Sequence, residues 1–357
     1  MKKRVMVVIP ALGCGGAERL AVSLISKMDK TRFETKLVVL YSYQDTDNSK
    51  FIERHGIDVA YLNKHRGVDF SIIHKLRKEI KIFKPDVIQT HLYVISYVLL
   101  ASSLKIKKYH TVHNVAEKES FGLRRIISRI AFKFGNFVPV AISPYCAETI
   151  SNLYRIKISD IPCINNGVNI NKYFPMPINH DDIVLISVGR LQAQKNHKML
   201  LNVFGKVHKK YPAVKLRIYG EGELRGQLEE EIKKLGLEQV VDMPGQCADI
   251  VKQLNRSDMF VQSSDYEGLP ISGLEAMACG LPIISTKAGG TIDIVEDGIN
   301  GFLVDLGDEE KFEEYIELLI EDDKKRKAMG EMSRRKAEKF SIDNCVEQYE
   351  NLYLQIK

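Results

Sequence analysis

Residues 259–282 read MFVQSSDYEGLPISGLEAMACGLP, and they place a buried strand, a loop and a helix in direct succession. The apolar run at 259–264 is typical of a strand in a parallel sheet that is covered on both faces. Pro270 suits the first turn of a helix, while Gly280 and Pro282 predict its end. A strand that leads directly into a helix is the repeating unit of an α/β fold.

The same order of strand and helix recurs along the whole chain. Apolar runs predict further buried strands at 4–10, 35–41, 85–91, 137–143, 182–189 and 215–220. Helical periodicity lies between them, for example at 17–28, 70–83, 197–208 and 224–235. Regular alternation of this kind predicts an α/β fold with Rossmann-like, doubly wound parallel sheets.

A polar segment divides the chain into two halves. Residues 165–181 are rich in Asn, Pro and Asp and lack periodicity, which is typical of a linker. With a length of 357 residues, this predicts an N-terminal domain at 1–172 and a C-terminal domain at 173–340. Residues 341–357 predict a helix that could cross back to the N-terminal domain. Two such sheets would face each other across a ligand-binding cleft at the carboxyl ends of their strands.

The two halves carry opposite charge. Residues 1–175 contain 28 Lys and Arg against 14 Asp and Glu, or +14, and residues 176–357 contain 24 against 32, or −8. The positive charge of the first half concentrates in three segments, 74–84, 104–110 and 122–137. Such asymmetry indicates that the first half meets an anionic partner.

Residues 122–137 combine positive charge with apolar side chains at helical spacing. The segment contains the cations and large apolar residues Arg124, Arg125, Arg129, Lys133, Ile126, Ile127, Ile130 and Phe134. A helix of this composition fits an anionic membrane surface, and it also fits a solvated basic helix packed on its own sheet. No zinc-finger, RNA-recognition or basic-zipper pattern favours nucleic acid. An anionic membrane surface, and no nucleic acid, is therefore the expected partner.

The sequence predicts a cytoplasmic protein that associates peripherally with the inner face of the cell membrane. The N-terminus has only a short apolar run, which is interpreted as the first strand and not as a signal peptide. No segment approaches the roughly 18 apolar residues that span a bilayer. The six cysteines show neither CxxC pairs nor zinc-ligand spacing.

Glu275 raises a specific question about the helix of the opening stretch. At helical spacing, this carboxylate falls within the apolar stripe formed by Ile271, Leu274, Ala278 and Cys279. A carboxylate on a core-facing stripe is costly unless hydrogen bonds satisfy it. The partner could be an internal Arg or Lys, or the hydroxyls of a ligand in a cleft.

Polar and glycine-rich loops follow several predicted strands. Gly13, Gly15 and Gly16 could present amides to a phosphate or sugar, or form a tight turn only. A dinucleotide fingerprint fails there, because Glu18 stands where its third glycine belongs and no acid follows the second strand. The next candidate ligand-binding loop begins at Arg190, directly after the predicted strand 182–189.

In that loop, Arg190 and Lys195 could clamp a diphosphate, or be two solvated cations. Gly245, Gln246 and Cys247 precede a helix and could offer backbone groups to a nucleobase.

Several motifs together resemble the retaining GT-B glycosyltransferases of glycosyltransferase family 4. The motifs, in chain order, are GGAER, HNV at 113–115, NNGVN at 165–169, GRLQAQKN at 189–196, GEGEL at 220–224, the E-x7-E stretch ending IIST, and EDGINGFLV at 296–304. The ordered set covers nearly the whole chain, and it implies a GT-B fold with the acceptor in the N-terminal domain and the nucleotide sugar in the C-terminal domain.

The resemblance implies a role for each matching residue. Glu275 would bind the ribose hydroxyls, and Arg190 and Lys195, beside Gly189, would bind the diphosphate. Glu267 and the amides of Gly268 and Leu269 would hold the donor sugar. The remaining assignments place His113 at the reacting centre, Gly15 and Gly16 beneath the diphosphate, and Gln246 and Cys247 beside the base. The implied catalytic residues are Glu267, His113, Arg190 and Lys195.

The same resemblance implies the reaction. A sugar would pass with retention from a nucleoside diphosphate, with UDP as the expected base and GDP open, to a lipid-linked or polysaccharide acceptor such as a capsule or exopolysaccharide precursor. No metal and no other cofactor are expected, and Asp45-Thr46-Asp47 is interpreted as a solvated loop. The alternatives are a nucleotide-sugar 2-epimerase of the same fold and a non-catalytic sugar-nucleotide or glycan-binding protein.

Overall fold

A computed structural model describes residues 1–13, 15–177, 182–247 and 249–355. Cys14, the 178–181 end of the predicted linker, Ala248 and the last two residues lie outside the described residues. The chain forms two compact units, Met1–Asn166 with Ile342–Lys357 as unit 1, and Gly167–Ser341 as unit 2.

Each unit contains one six-stranded, entirely parallel sheet. The strands of unit 1 are β1 Lys3–Ile9, β2 Phe33–Val39, β3 Val59–Tyr61, β4 Val87–His91, β5 Lys107–Val112 and β6 Phe137–Ala141, in the order β3-β2-β1-β4-β5-β6. The strands of unit 2 are β7 Val184–Val188, β8 Lys215–Tyr219, β9 Val241–Gly245, β10 Met259–Gln262, β11 Ile283–Thr286 and β12 Gly301–Val304, in the order β12-β11-β10-β7-β8-β9. The prediction of an α/β fold with doubly wound parallel sheets is confirmed.

Helices connect the strands and cover the sheets. Those of unit 1 are α1 Gly16–Lys27, α2 Asp47–Arg54, α3 Ser71–Phe83, α4 Ile95–Ala101, α5 Ala116–Glu119, α6 Gly122–Phe134, α7 Pro144–Tyr154 and α15 Ile342–Leu354. Those of unit 2 are α8 His197–Lys210, α9 Arg225–Leu235, α10 Ile250–Asn255, α11 Ile271–Ala278, α12 Thr291–Ile294, α13 Glu309–Glu321 and α14 Asp323–Lys339. No helix in the described ranges is long and apolar enough to cross a membrane.

The last helix, α15, belongs to the core of unit 1. The Tyr349 hydroxyl lies 2.8 Å from Thr111 Oγ1 on β5, and the Tyr353 hydroxyl donates to Gln89 Oε1 on β4 at 2.8 Å. Both tyrosine side chains are fully buried. Helix α15 therefore joins two strands of a sheet whose sequence lies more than two hundred residues earlier.

The basic segment 104–110 was expected to contribute to a surface charge, and this interpretation is wrong for Lys108. Lys108 lies on β5 with its side chain fully buried, and its Nζ donates to the carbonyl oxygens of Ser103, Ile106 and Gly135. Burial lowers the pKa of Lys108 to about 8. This lysine joins β5 to its neighbouring loops and cannot meet an external anion.

Candidate active site

The centre of the candidate site is an ion pair between two loops of unit 2. Lys195 Nζ donates to Glu267 Oε1 at 2.6 Å, and the Ser264 hydroxyl donates to the same oxygen at 2.6 Å. Gln194 Nε2 lies 3.4 Å from Glu267 Oε2. The two charged side chains are 17% and 8% exposed, so solvent screens the pair only weakly.

Strand order brings these loops together. Loop 189–196 follows β7 and loop 263–270 follows β10, and the two strands are hydrogen-bonded neighbours in the sheet. Asp265 N donates to the Gln194 carbonyl at 2.9 Å, and the Ser263 hydroxyl donates to the carbonyls of Lys195 and Asn196. Because both loops leave the carboxyl edge of a parallel sheet, their polar groups lie where α/β proteins bind ligands.

Glycines stand at the carboxyl ends of β7, β8 and β9, three neighbouring strands of the same sheet. Gly189, Gly220 and Gly245 follow or end β7, β8 and β9, and they are linked through the bonds Gly189 N to Tyr219 O and Gly220 N to Gly245 O. A Cβ on Gly220 would lie 1.8 Å from the Gly189 carbonyl oxygen, and a Cβ on Gly189 would lie 2.9 Å from Lys195 Cε. The glycines therefore allow the backbone to approach closely and allow Lys195 to lie across Gly189.

Glu275 is buried, as are all residues of its helix from Gly273 to Ala278, while Ile271 and Ser272 at its start are half-buried. Residues of α11 outside the predicted stripe, including Ala276 and Met277, are as buried as Leu274, so burial from residue 273 onward is not confined to one face of the helix. Arg334 Nη1 donates to the Ala278 carbonyl at 2.9 Å and satisfies the carboxyl end of α11. The sequence predicted burial along one apolar stripe only, whereas Glu275 is surrounded by buried residues on more than one face of α11.

The other predicted residues of unit 2 border the same edge. Arg190 is exposed in the loop after β7, while Gly268 and Leu269 are buried directly before α11. Gln246 is exposed and Cys247 is half-buried after β9. The structure therefore pairs Lys195 with Glu267, while Arg190 is exposed in the same loop.

The predicted residues of unit 1 lie at the carboxyl edge of its own sheet. Gly15 is the N-cap of α1 and Gly16 is its first residue, directly after β1. His113 follows β5, and its Nε2 lies 2.9 Å from Nδ1 of His91 at the end of β4. Burial lowers the pKa of His113 to about 4, against an opposing influence of Glu119, so this imidazole is neutral near neutral pH.

Sequence reasoning missed four residues that position the predicted ones. Ser264 and Gln194 bind Glu267, His91 binds His113, and Glu119 Oε2 accepts the backbone N–H groups of His113 and Asn114. Ser264 and Gln194 lie within the sequence motifs that contain Glu267 and Lys195, so proximity to these residues in the sequence could have identified them. The pairing of His91 with His113 depends on β4 and β5 being neighbours, which no local pattern indicates.

Comparison with known proteins agrees with this architecture. Residues 170–336 match the family described as glycosyl transferases group 1, and residues 14–172 match glycosyltransferase family 4. An uncharacterized glycosyltransferase of Haemophilus influenzae is 26% identical, over 99% of this chain and 100% of the relative.

Two further relatives extend over the same length. A Campylobacter jejuni protein, named as a GalNAc-alpha-(1->4)-GalNAc-alpha-(1->3)-diNAcBac-PP-undecaprenol alpha-1,4-N-acetyl-D-galactosaminyltransferase, is 24% identical over 99% of both chains. The crystal structure of Anabaena HepE in complex with UDP-glucose has a TM-score of 0.86, with 21% identity and 99% of both chains covered.

The two parallel sheets and the matches of both halves define a glycosyltransferase of the GT-B class. The acidic residues and the cationic loop of unit 2 stand at the strand ends where this fold class carries its ligands. Within that class, the chain belongs to glycosyltransferase family 4.

Proposed function

We propose that the protein is a retaining, metal-independent glycosyltransferase that moves a sugar from a UDP-sugar to a hydroxyl of a lipid-linked or polysaccharide acceptor in bacterial envelope glycan synthesis. The observation that carries the proposal is the buried Lys195–Glu267 pair at the carboxyl edge of the unit 2 sheet. UDP is supported by the HepE structure with UDP-glucose, and a lipid diphosphate acceptor by the name of the Campylobacter relative. The family resemblance supports retention.

The donor would be held by charge and by hydroxyl contacts. Lys195 uses one N–H for Glu267, so its other N–H groups can bind the diphosphate, and the exposed Arg190 would bind the same group. Glu267 and Glu275 would accept hydrogen bonds from hydroxyls of the donor sugar and the ribose. The Gly189 backbone and the loop containing Gln246 and Cys247 would contact the nucleotide.

Departure of UDP would be the main barrier of the reaction. Positive charge from Arg190 and Lys195, together with the amides of Gly268 and Leu269 before α11, would stabilise the negative charge that develops on the leaving phosphate. The leaving phosphate oxygen would take the proton of the attacking acceptor hydroxyl on the same face of the sugar. We assign to His113 a hydrogen bond to the reacting sugar, which a neutral imidazole can donate or accept. Gly15 and Gly16 would contribute amides to the diphosphate.

A thermal-shift screen of UDP-, GDP- and ADP-sugars tests the donor, because a ligand that binds the folded state raises the melting temperature. We expect a UDP-sugar to raise the melting temperature of the wild type and Glu275→Gln to reduce that increase. Glu309→Gln, on the surface of α13, should leave the increase unchanged. The second measurement is incubation of the protein with the sugar nucleotide that raises the melting temperature, without an acceptor. An epimerised product without transfer would contradict the proposal, as would the absence of any shift.

We further propose that α6 binds the anionic inner face of the cell membrane. Its apolar residues Leu123, Ile126 and Phe134 are 71%, 57% and 66% exposed, and they alternate with the cations at 124, 125, 129 and 133. Apolar insertion and attraction to anionic lipid act together on such a helix.

Cosedimentation with phosphatidylcholine vesicles, with and without phosphatidylserine, tests this membrane contact. We expect binding to require phosphatidylserine, and Leu123→Ser to weaken it by about tenfold, since burying one leucine is worth about 1.5–3 kcal/mol. Leu235→Ser alters an exposed leucine of α9 in unit 2 and serves as the matched control. Equal binding to both vesicle types would exclude the electrostatic contact.

A further inference from the structure

Unit 1 contains a cavity of about 630 Å³ beside β5. Side chains from β5, α4, α5, α6 and α7 form its walls, together with the loops that follow β2 and β3. Ligand-binding clefts usually measure about 300–1,000 Å³ and combine apolar walls with a few polar groups. The cavity has this composition, because Val112, Ile127 and Phe132 line it alongside His110 and Glu119.

One polar residue of the cavity lining, Glu119, carries an acceptor that needs a donor. Glu119 Oε2 accepts the N–H groups of His113 and Asn114, but Glu119 Oε1 has no hydrogen-bond partner among the described residues. The nearest ring nitrogen, His110 Nε2, lies 3.7 Å away, beyond hydrogen-bond length, while the other ring nitrogen lies 2.9 Å from Thr90 Oγ1. A buried carboxylate oxygen without a donor is costly, and a ligand hydroxyl would satisfy it.

The cavity lining also includes a cation, Arg124, that is exposed. The Arg124 guanidinium lies 5.3 Å from the Tyr93 ring centre and 5.9 Å from that of Phe121, and it has no acidic partner within the described residues. Lys64 also lines the cavity, but its Nζ already donates to the carbonyls of His65 and Gly67. A guanidinium on an aromatic edge suits a phosphate, which it can bind through two parallel hydrogen bonds.

We propose that this cavity binds the glycosyl acceptor as a phosphorylated saccharide, with a sugar hydroxyl on Glu119 and a phosphate on Arg124. The inference rests on the proposed function, because it names the acceptor's subsite for that reaction. Glu119 connects the two, since the same carboxylate holds the backbone of His113, the residue assigned to the reacting sugar. An acceptor on Glu119 is thereby placed next to the loop that carries His113.

Calorimetric titration of the full chain tests the subsite with three probes. These are an alkyl chain linked through diphosphate to N-acetylglucosamine, the same alkyl N-acetylglucosaminide without the diphosphate, and inorganic diphosphate. We expect the first probe to bind most tightly, and Arg124→Gln to weaken it about tenfold, as the loss of a charge-assisted contact would. The same substitution should leave binding of the uncharged glycoside within about twofold.

Lys133→Gln is the matched control for Arg124→Gln. Lys133 is an exposed cation on the same helix and does not line the cavity, so it removes an equal charge from the same surface. The control should retain wild-type affinity for the diphosphate-linked probe. An equal loss of probe affinity in both variants would overturn the subsite. It would show that the probe is attracted only by the surface charge of α6. Failure of the wild type to bind the diphosphate-linked probe would overturn it as well.

Donor binding distinguishes failure of this inference from failure of the proposed function. Sugar-nucleotide thermal shifts are measured for the same wild-type and Arg124→Gln samples. A normal UDP-sugar shift with an unchanged probe affinity in Arg124→Gln would refute the subsite and leave the transferase proposal intact. A selective loss of the diphosphate-linked probe, without any sugar-nucleotide shift in the wild type, would support the subsite and refute the transferase.

Discussion

Replacing Lys195 by methionine tests whether the ion pair at the centre of the site is as strong as its burial indicates. The substitution leaves the Glu267 carboxylate in place with the Ser264 hydroxyl and the Gln194 amide as remaining donors. Removing one partner of a buried pair costs about 3–5 kcal/mol. Because two donors persist, we expect the lower limit, about 3 kcal/mol, in the free energy of unfolding.

This loss is measurable by urea unfolding followed by far-UV circular dichroism, or by differential scanning calorimetry. For a unit of this size, about 2–4 °C in melting temperature corresponds to each kcal/mol, so unit 2 should melt roughly 6–12 °C lower. Adding Glu267→Gln to Lys195→Met removes the uncompensated charge. The double variant should therefore recover at least half of the lost stability.

Lys206→Met is the matched control, because Lys206 Nζ lies 3.3 Å from Glu309 Oε2 on the surface of the same unit. Its side chain is 45% exposed, and surface pairs contribute about 0–1 kcal/mol. If Lys195→Met and Lys206→Met lowered the unfolding free energy equally, the description of Lys195–Glu267 as a strong buried pair would be refuted. Failure of Glu267→Gln to restore stability would refute the buried-charge explanation.

Three further perturbations follow from the described contacts. Acidification should destabilise the protein, because burial lowers the pKa of both His113 and His197 from 6.5 to about 4, so the unfolded chain takes up protons that the folded chain does not. Stability is complete above about pH 6.5 and should fall towards pH 4 by up to about 1.4 kcal/mol per pH unit for each histidine, as urea midpoints measure. Tyr353→Phe removes a buried hydroxyl that donates to Gln89 and should cost about 1–2 kcal/mol in urea unfolding. Gly189→Ala would displace Lys195, since the new Cβ would lie 2.9 Å from Lys195 Cε, and should lower the rate of sugar transfer about tenfold or more in a product assay.

The two substitutions each have a control within the chain. Tyr43→Phe alters an exposed tyrosine and should change stability by less than about 0.5 kcal/mol. Gly226→Ala introduces a Cβ that meets no atom within 4 Å and should preserve transfer. A midpoint that is independent of pH, a Tyr353→Phe protein as stable as Tyr43→Phe, or full transfer by Gly189→Ala would each contradict the corresponding contact.

Most of the sheet architecture could be predicted, because long apolar runs identify buried strands. The missed strands have weaker patterns. Strand β3 has only three residues, and β9 at the edge of its sheet alternates buried with exposed residues around a proline. The lysines of β5 weaken its strand pattern, since Lys108 is charged by type and yet fully buried. Residue type alone therefore misjudges positions where backbone carbonyls can satisfy a buried ammonium.

The residues of the candidate site were identifiable by motif, but their partners were not. Lys195 and Glu267 were expected to bind different parts of a ligand, and the structure shows them bonded to each other. Their sequence separation is large, and only the pairing of β7 with β10 brings them together. For the same reason, His91 and Glu119 escaped notice, because their importance depends on β4, β5 and α5 being adjacent.

The position of α15 has a consequence for biosynthesis on the ribosome. Unit 2 is encoded without interruption, so all of its strands have emerged before the final segment is translated. Unit 1 must wait for Tyr349 and Tyr353, which are the hydrogen-bond partners of Thr111 on β5 and Gln89 on β4. Synthesis from the amino end thus supplies every strand of the second unit before the first unit receives α15, and the nascent first unit keeps an open apolar surface until α15 has been made.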